Sequence, residues 1–304
     1  MSMSKSTNND APCSIDCAHD VLPDACGNEI REERLLKRQN RKQGQPWLVF
    51  FLSRERFLIV AAFILVVLMN SATGRLVLYP FKIFSTWIHE MCHGLAAILS
   101  GGYIARLEIY PDGSGLAFTA SQHRGFVASA GYSGTACTGG LLLLFRRTTI
   151  GPTVGTFGLG LALLFSVVLC VRNEWGIVAL TLEALFLLVC GWKLSATFLD
   201  HLYSFLALTV SLNAVENIQA LYGSDEGYVN GELRKTDAHT VAEIRGGDYR
   251  VWATRWLILS LVMTFIGILL ARDARALPWL ESNDKATSSG TPKSSNTDFV
   301  GMDP

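Results

Sequence analysis

Two histidines separated by three residues, with a glutamate beside the first, are the residues of this sequence best suited to chemistry. His89, Glu90 and His93 form an H-E-x-x-H pattern inside an apolar run over 81–99. On a helix, residues four apart share one face, so the two imidazoles are directed at one point. This arrangement is typical of two zinc ligands, with the glutamate placed to act as general base on a water molecule.

The same pattern could arise on a buried helix whose histidines are satisfied by the backbone or by water. The flanking residues argue against that interpretation, because they are Phe, Ile, Trp, Leu and Ala and indicate a membrane-embedded segment. Ionisable groups at membrane depth cost on the order of several kcal/mol each and persist mainly where they have a function. We therefore expect His89 and His93 to bind a metal ion.

A catalytic zinc site needs about three protein ligands, so one more residue must complete this one. Glu216 shares a helical face with Asn213 and Asn217, and it could reach the metal or only face water near the end of its span. Asp237 lies in the polar loop 219–249 and could reach the metal from there, or it could cap a short helix. The spacing leaves both candidates open.

The composition indicates which elements must position these side chains. Half of the 304 residues are hydrophobic and only 17% are charged, below the proportion of about a quarter found in soluble domains. The net charge is zero, so we expect no nucleic-acid partner. The charges collect towards the two ends and in 231–255, which is the profile of a multi-pass integral membrane protein whose partner is the lipid bilayer.

These patterns predict an all-α polytopic membrane protein with about six to seven transmembrane helices and a small β-hairpin after the metal-site helix. The apolar runs are 57–74, 81–99, 125–145, 148–171, 175–192, 196–218 and 252–271. Three regions follow: a disordered polar tail over 1–55, a membrane domain over 56–272 and a disordered tail over 273–304.

The hairpin is predicted from a change of period after the metal-site helix. Over 103–110, Leu107 and Ile109 alternate with charged residues, which is typical of a strand. The Pro-Asp-Gly-Ser-Gly sequence of 111–115 is strong turn chemistry, and 116–120 returns as a second strand. Open sheet edges are not tolerated against lipid, so the hairpin must lie in a protein-lined cavity or at the membrane interface.

The stretch Ser85–Gly102, which carries the H-E-x-x-H pattern, resembles the site-2-protease family of membrane zinc metallopeptidases. More narrowly, it is similar to the small B-type-like branch without a PDZ insertion. Further matches to that branch are the hairpin over 101–115, Ala-Gly-Tyr-Ser-Gly at 130–134, Thr-Asp-Ala at 236–238 for its Ser-Asp-Ala element, and the Trp-bearing span at 252–256. The resemblance covers about residues 57–271.

This resemblance implies that His89 and His93 bind Zn²⁺ and that Glu90 is the catalytic base. It slightly favours Asp237 as third ligand, whereas depth in the membrane favours Glu216. The expected function is an intramembrane zinc metalloendopeptidase whose partners are membrane proteins or membrane-anchored peptides. Such substrates must unwind locally, and the edge of the hairpin could hold them by β-augmentation. The alternative is a catalytically inactive relative that binds membrane clients or has a structural role.

Overall fold

The computed structural model describes residues 56–146, 148 and 150–270. These residues are mostly helical and include two small antiparallel hairpins. The elements are α1 (Arg56–Met69), α2 (Ala72–Val77), α3 (Tyr79–Leu99), β1 (Tyr103–Ile109), β2 (Gly115–Ala120), α4 (Arg124–Phe145), α5 (Gly151–Leu169), α6 (Glu174–Lys193), α7 (Ala196–Ala220), β3 (Glu226–Val229), β4 (Glu232–Lys235), α8 (Asp237–Arg245) and α9 (Tyr249–Leu270). The tails predicted over 1–55 and 273–304 lie outside the described residues.

The first apolar run is divided into two helices. α1 ends at Met69, and the hydroxyl of Ser71 then caps α2 by accepting a hydrogen bond from the Gly74 backbone N–H at 3.0 Å. A serine in this position stabilises a new helix start, because it satisfies one of the free N–H groups of the first turn. The run expected as one span is therefore a 14-residue helix followed by a short second helix.

Four of the described helices are long and apolar enough to cross a membrane. They are α5, α6, α7 and residues 249–269 of α9. The helices α3 and α4 have sufficient length, at 21 and 22 residues, but they carry polar and small residues in place of large apolar ones. The predicted count of six to seven spans therefore stays a prediction.

The helices α5 and α6 pack against each other and present apolar side chains on their outer faces. These exposed side chains include Leu161, Phe165, Val168, Leu182 and Phe186. A contiguous exposed surface of this kind is typical of a contact with membrane or with another protein. Its position on long apolar helices favours lipid.

The predicted hairpin after α3 is present, and one face of it is buried. Leu107 and Ile109 are fully buried in the core between α3, α5 and α6. The outer edge of β1 is paired with the chain between α5 and α6: the Leu107 N–H donates to the Cys170 carbonyl at 2.9 Å, and the Arg172 N–H donates to the Leu107 carbonyl at 3.1 Å. The strand β2 forms the other edge of the hairpin.

The turn of this hairpin is attached to one face of α3. Tyr79, Lys82 and Thr86 donate hydrogen bonds to the carbonyl oxygens of Pro111, Asp112 and Gly113 at 2.7, 3.4 and 2.9 Å. The spacing of three and four residues places these donors on one side of the helix. The same side continues to His89 and His93, so the face that holds the hairpin also carries the metal-ligand pattern.

The polar segment over 219–249 is more ordered than a loop. It contains the hairpin β3–β4 and the short helix α8. Asn230 and Gly231 form the hairpin turn with φ angles of 51° and 78°, which is the conformation that an Asn-Gly pair favours between two strands. The prediction of a loop over 219–249 is therefore wrong for these residues, and the Asn-Gly pair is the local signal that favours a hairpin instead.

We expect the protein to stay with the membrane fraction after washing with sodium carbonate or high salt, and to be released by detergent. The reason is that four long apolar helices expose large side chains that water does not solvate well. Fractionation followed by immunoblotting measures this directly. Release of the protein into the carbonate supernatant would contradict the membrane assignment.

Candidate metal centre

The two histidines of the H-E-x-x-H pattern converge on one point. They lie one turn apart on α3, and their Nε2 atoms are 3.1 Å apart. His93 is 8% exposed, Glu90 is 6% exposed and His89 is half-buried. The helical spacing therefore produces the geometry expected from the sequence.

Asp237 completes this cluster from the start of α8. Its Oδ2 atom lies 3.3 Å from His89 Nε2 and 3.2 Å from His93 Nε2. The cap of α8 is Thr236, whose hydroxyl accepts a hydrogen bond from the His239 N–H at 3.3 Å. Since Thr236 performs the capping, the Asp237 carboxylate is available to the two histidines.

Glu216, the other candidate for a third ligand, lies elsewhere. Its side chain is exposed, and it does not belong to the three-residue cluster of metal-ligand atoms found in the described part of the chain. Asn217, on the next position of α7, does line the cavity in front of the histidines. The structure thus places Asp237, and not Glu216, beside His89 and His93.

The spacing of the three ligand atoms fits a zinc ion. Zinc–nitrogen and zinc–oxygen bonds of about 2.0–2.1 Å in a tetrahedron place neighbouring ligand atoms about 3.3 Å apart. The three separations here are 3.1, 3.2 and 3.3 Å. Two imidazoles and one carboxylate are also the donor set of several catalytic zinc sites, which leave a fourth position for water.

A backbone hydrogen bond selects the useful tautomer of His93. Its Nδ1 atom lies 2.7 Å from the carbonyl oxygen of Val127, on α4. A carbonyl oxygen only accepts, so Nδ1 carries a proton, and Nε2 is the ring nitrogen that faces His89 and Asp237 and would bind a metal ion. Metal-binding histidines usually have such a partner, because it orients the ring and makes the coordinating nitrogen more basic.

The charge state of Asp237 suits a metal ligand. Burial alone would raise the pKa of this carboxyl group, but the nearby His93 and His89 outweigh that effect and hold its pKa below the ordinary range. Asp237 is therefore ionised at neutral pH. Metal ligands of this type must be deprotonated, so no proton has to be displaced from the carboxylate on binding.

Aromatic and small residues of α4 enclose the histidines. The ring of Tyr132 contacts His89 edge-on, with centroids 4.6 Å apart, and its other face stacks on Trp256 of α9 at 5.1 Å. Gly131 lies directly against both imidazoles, since a Cβ atom there would be 2.4 Å from His93 Nε2 and 2.5 Å from His89 Nε2. Tyr132 belongs to the Ala-Gly-Tyr-Ser-Gly stretch at 130–134, but no spacing or charge pattern in the sequence indicates its contact with His89.

Two further contacts position the helix that carries Asp237. Ala238 and Val241 are fully buried in a cluster with residues of α4, α7 and α9. In addition, the carbonyl oxygen of Asp225 accepts hydrogen bonds from the Thr236 backbone and hydroxyl, both at 3.0 Å, and its carboxylate lies 2.9 Å from His239 Nδ1. These contacts close the base of the β3–β4 hairpin and orient the first turn of α8 towards α3.

A cavity of about 760 Å³ opens in front of the cluster. Glu90 borders it beneath β2. Gly115 lies directly over the same side chain, because a Cβ atom there would be 2.7 Å from Glu90 Cγ. The potential base, the three potential ligands and the edge of β2 therefore share one cavity.

Comparison with known proteins identifies a family for this chain. A family model described as Peptidase M50B-like matches residues 58–267, which include all elements of the site. This match agrees with the resemblance to site-2-protease-like metallopeptidases noted from the sequence, and together with the four long apolar helices it supports a membrane protein. No curated protein and no solved structure matches the chain.

We expect His89→Ala, His93→Ala and Asp237→Ala each to weaken zinc binding by more than about 100-fold, since each removes a direct ligand and even outer contacts of a metal site contribute 10- to 100-fold. Glu216→Ala is the matched control and should bind zinc like the wild type. Metal content after dialysis against a competing chelator measures the effect. Equal zinc content in the Asp237→Ala and wild-type proteins would exclude Asp237 as the third ligand.

Gly131→Ala should also reduce zinc affinity, by about 10- to 100-fold, because the added methyl group collides with both coordinating nitrogens and must displace them. Gly158→Ala is the control, since a Cβ atom at that position meets nothing within 4 Å. Both variants add one methyl group to a helix. The same chelator titration distinguishes them, and an unchanged affinity of Gly131→Ala would show that the imidazoles do not need this close approach.

Proposed function

Since the chain belongs to the Peptidase M50B-like family, we propose that it is an intramembrane zinc metalloendopeptidase that cleaves membrane proteins or membrane-anchored peptides. The observation that carries this proposal is the convergence of His89, His93 and Asp237, with Glu90 in the same cavity. A purely structural cluster would not need a buried carboxylate at the position of a general base. The proposal therefore accounts for all four side chains.

The residues present fit a zinc ion, which His89, His93 and Asp237 would hold. When bound, zinc supplies a Lewis acid that makes water more acidic and polarises a peptide carbonyl group. The roles of the protein groups follow from where they lie. The Val127 carbonyl fixes the His93 ring, and Asp237 brings a negative charge that offsets part of the charge of the cation.

Glu90 is the residue placed to move a proton. It follows His89 directly, so its carboxylate lies beside the ligands without being one of them, and it borders the cavity. The close approach of Gly115, where a Cβ atom would lie 2.7 Å from Glu90 Cγ, restricts the orientation of the side chain. In the proposed reaction Glu90 takes a proton from the attacking water and then delivers a proton to the amine of the leaving group.

The substrate must reach this site in an extended form. A membrane-spanning helix uses all its backbone groups in its own hydrogen bonds, so the peptide bond is accessible only after local unwinding. The edge of β2 borders the cavity and could pair with such a segment by β-augmentation. The absence of a side chain at Gly115 lets β2 lie directly against Glu90, so a peptide paired with this edge would run close to the carboxylate.

The proposed activity also bears on the number of spans. We propose that α3 and α4 lie in the membrane beside the four long apolar helices, which gives six spans, and that α1 with α2 would give a seventh. The polar side chains of α3 then face the protein interior and not the lipid. Ionisable residues within spans are almost always found in this orientation.

The experiment that tests the function is the substitution Glu90→Gln. The purified protein would be reconstituted in lipid vesicles with a panel of single-span membrane peptides. We expect this variant to keep its zinc and to lose cleavage by about 10²- to 10⁴-fold, the usual contribution of a general base. Glu216→Gln is the matched control and should retain both zinc and activity.

Two outcomes would contradict the proposal. Cleavage at wild-type rate by the Glu90→Gln protein would exclude Glu90 as the base. Full zinc occupancy in a wild-type protein that cleaves none of the panel would favour the alternative function, a catalytically inactive relative that binds membrane clients.

A further inference from the structure

The outer edge of β3 presents free backbone groups to the cavity. Val229 and Glu232 flank a two-residue turn and pair with each other, so they exchange hydrogen bonds within the hairpin. The next pair, Tyr228 and Leu233, is then a non-hydrogen-bonded pair whose N–H and C=O groups point away from the partner strand. Glu226 has the same orientation, but its N–H donates to the Ser224 hydroxyl at 3.1 Å. Tyr228 therefore carries the free N–H of this edge, and it lines the cavity.

The outer edge of β2, in the first hairpin, also directs backbone groups towards the cavity. The backbone groups of Leu107 bond to Cys170 and Arg172, so they point away from β2. Its partner Ala117 therefore points away from β1. Two residues earlier, Gly115 has the same orientation. Both residues line the cavity.

The two hairpins touch at their turns. The backbone N–H of Asn230 donates to the hydroxyl of Ser114 at 3.3 Å. Beyond this contact, residues of β2 and of β3 border one cavity that also contains the three potential ligands. Among the described residues, each hairpin thus has one edge that faces this space without a partner strand.

We propose that the segment of substrate to be cleaved lies as a strand between β2 and β3 and pairs with both edges. This inference rests on the proposed function and adds a second binding strand to it. An unwound peptide exposes backbone groups on both of its sides, and leaving them unsatisfied near the membrane is costly. A strand held on one side only would leave every second residue unpaired, whereas a strand between two edges leaves none.

The arrangement also defines the class of substrate. The bound segment must donate from consecutive backbone N–H groups, so it contains no proline near the cleavage site. It must adopt an extended backbone readily, which favours β-branched and aromatic residues. The preferred substrates are therefore membrane segments with a short proline-free stretch of high strand propensity.

A scan with N-methylated peptides tests the pairing without altering the protein. The probe is an extended peptide of about five residues that ends in a hydroxamate, with one backbone N–H replaced by N-methyl at each position in turn. If both edges pair with it, methylation at consecutive positions weakens binding by roughly 2- to 10-fold each, the worth of one hydrogen bond. If methylation weakens binding only at every second position, the peptide pairs with one edge only, and this result would overturn the proposal.

A pair of proline variants identifies the second edge. Tyr228→Pro removes a backbone N–H that faces the cavity, and Leu233→Pro removes the equivalent N–H on the opposite edge of the same hairpin. We expect the unmodified peptide hydroxamate to bind Tyr228→Pro roughly 2- to 10-fold more weakly, and Leu233→Pro like the wild type. Tyr228→Val keeps the N–H and should also bind like the wild type, which separates the backbone from the aromatic ring.

Acetohydroxamate, which reaches only the metal, should bind all these variants equally. The inference would be overturned if both proline variants lost peptide affinity equally. It would also be overturned if Tyr228→Pro lost no peptide affinity. A change in oligomeric state in Tyr228→Pro without a change in peptide affinity would assign the edge to a contact between copies of this chain, and would also overturn it. Cleavage of the membrane-peptide panel is a separate readout, so its absence would contradict the proposed function alone.

Discussion

Three potential ligand atoms lie within 3.3 Å of one another in a chain built largely of apolar helices, and the rest of the structure depends on this constraint. Two imidazoles and a carboxylate are costly to bury unless each has its partner. The helix α4 provides two of these partners, since the Val127 carbonyl accepts a hydrogen bond from His93 and the ring of Tyr132 packs against His89. Gly131 has no side chain, which lets α4 approach both imidazoles closely. The hairpins, in turn, leave an opening to the site that helices packed on all sides would have closed.

Much of this arrangement could be predicted from local patterns. The H-E-x-x-H spacing indicated two convergent imidazoles, and the alternation of Leu107 and Ile109 with charged residues indicated a strand with one buried face. The Asn-Gly pair of the second hairpin carried an equally local signal, which was outweighed by the polar composition of the segment around it. Such features depend only on residues close together in the sequence, so they can be predicted without knowledge of the tertiary structure.

The third potential ligand could not be predicted from periodicity. Both Glu216 and Asp237 are candidates in the sequence, because the third ligand depends on which segment folds back over α3. That is decided by the burial of Ala238 and Val241 and by the contacts of Asp225 with Thr236 and His239, none of which has a periodic signal. Polar residues of the site also lower the hydropathy of α3 and α4, so hydropathy alone does not identify these two helices as spans.

The separation of the ligands along the chain has a consequence for biosynthesis. His89 and Asp237 are 148 residues apart, which corresponds to roughly 7–30 s of translation at ordinary ribosome speeds. For most of that interval the nascent chain contains the histidine pair but not yet its carboxylate partner. If the three residues bind zinc as proposed, only two of the three ligands are available until Asp237 is made and α4, α7 and α9 pack around α8. Full metal affinity would then follow completion of the fold.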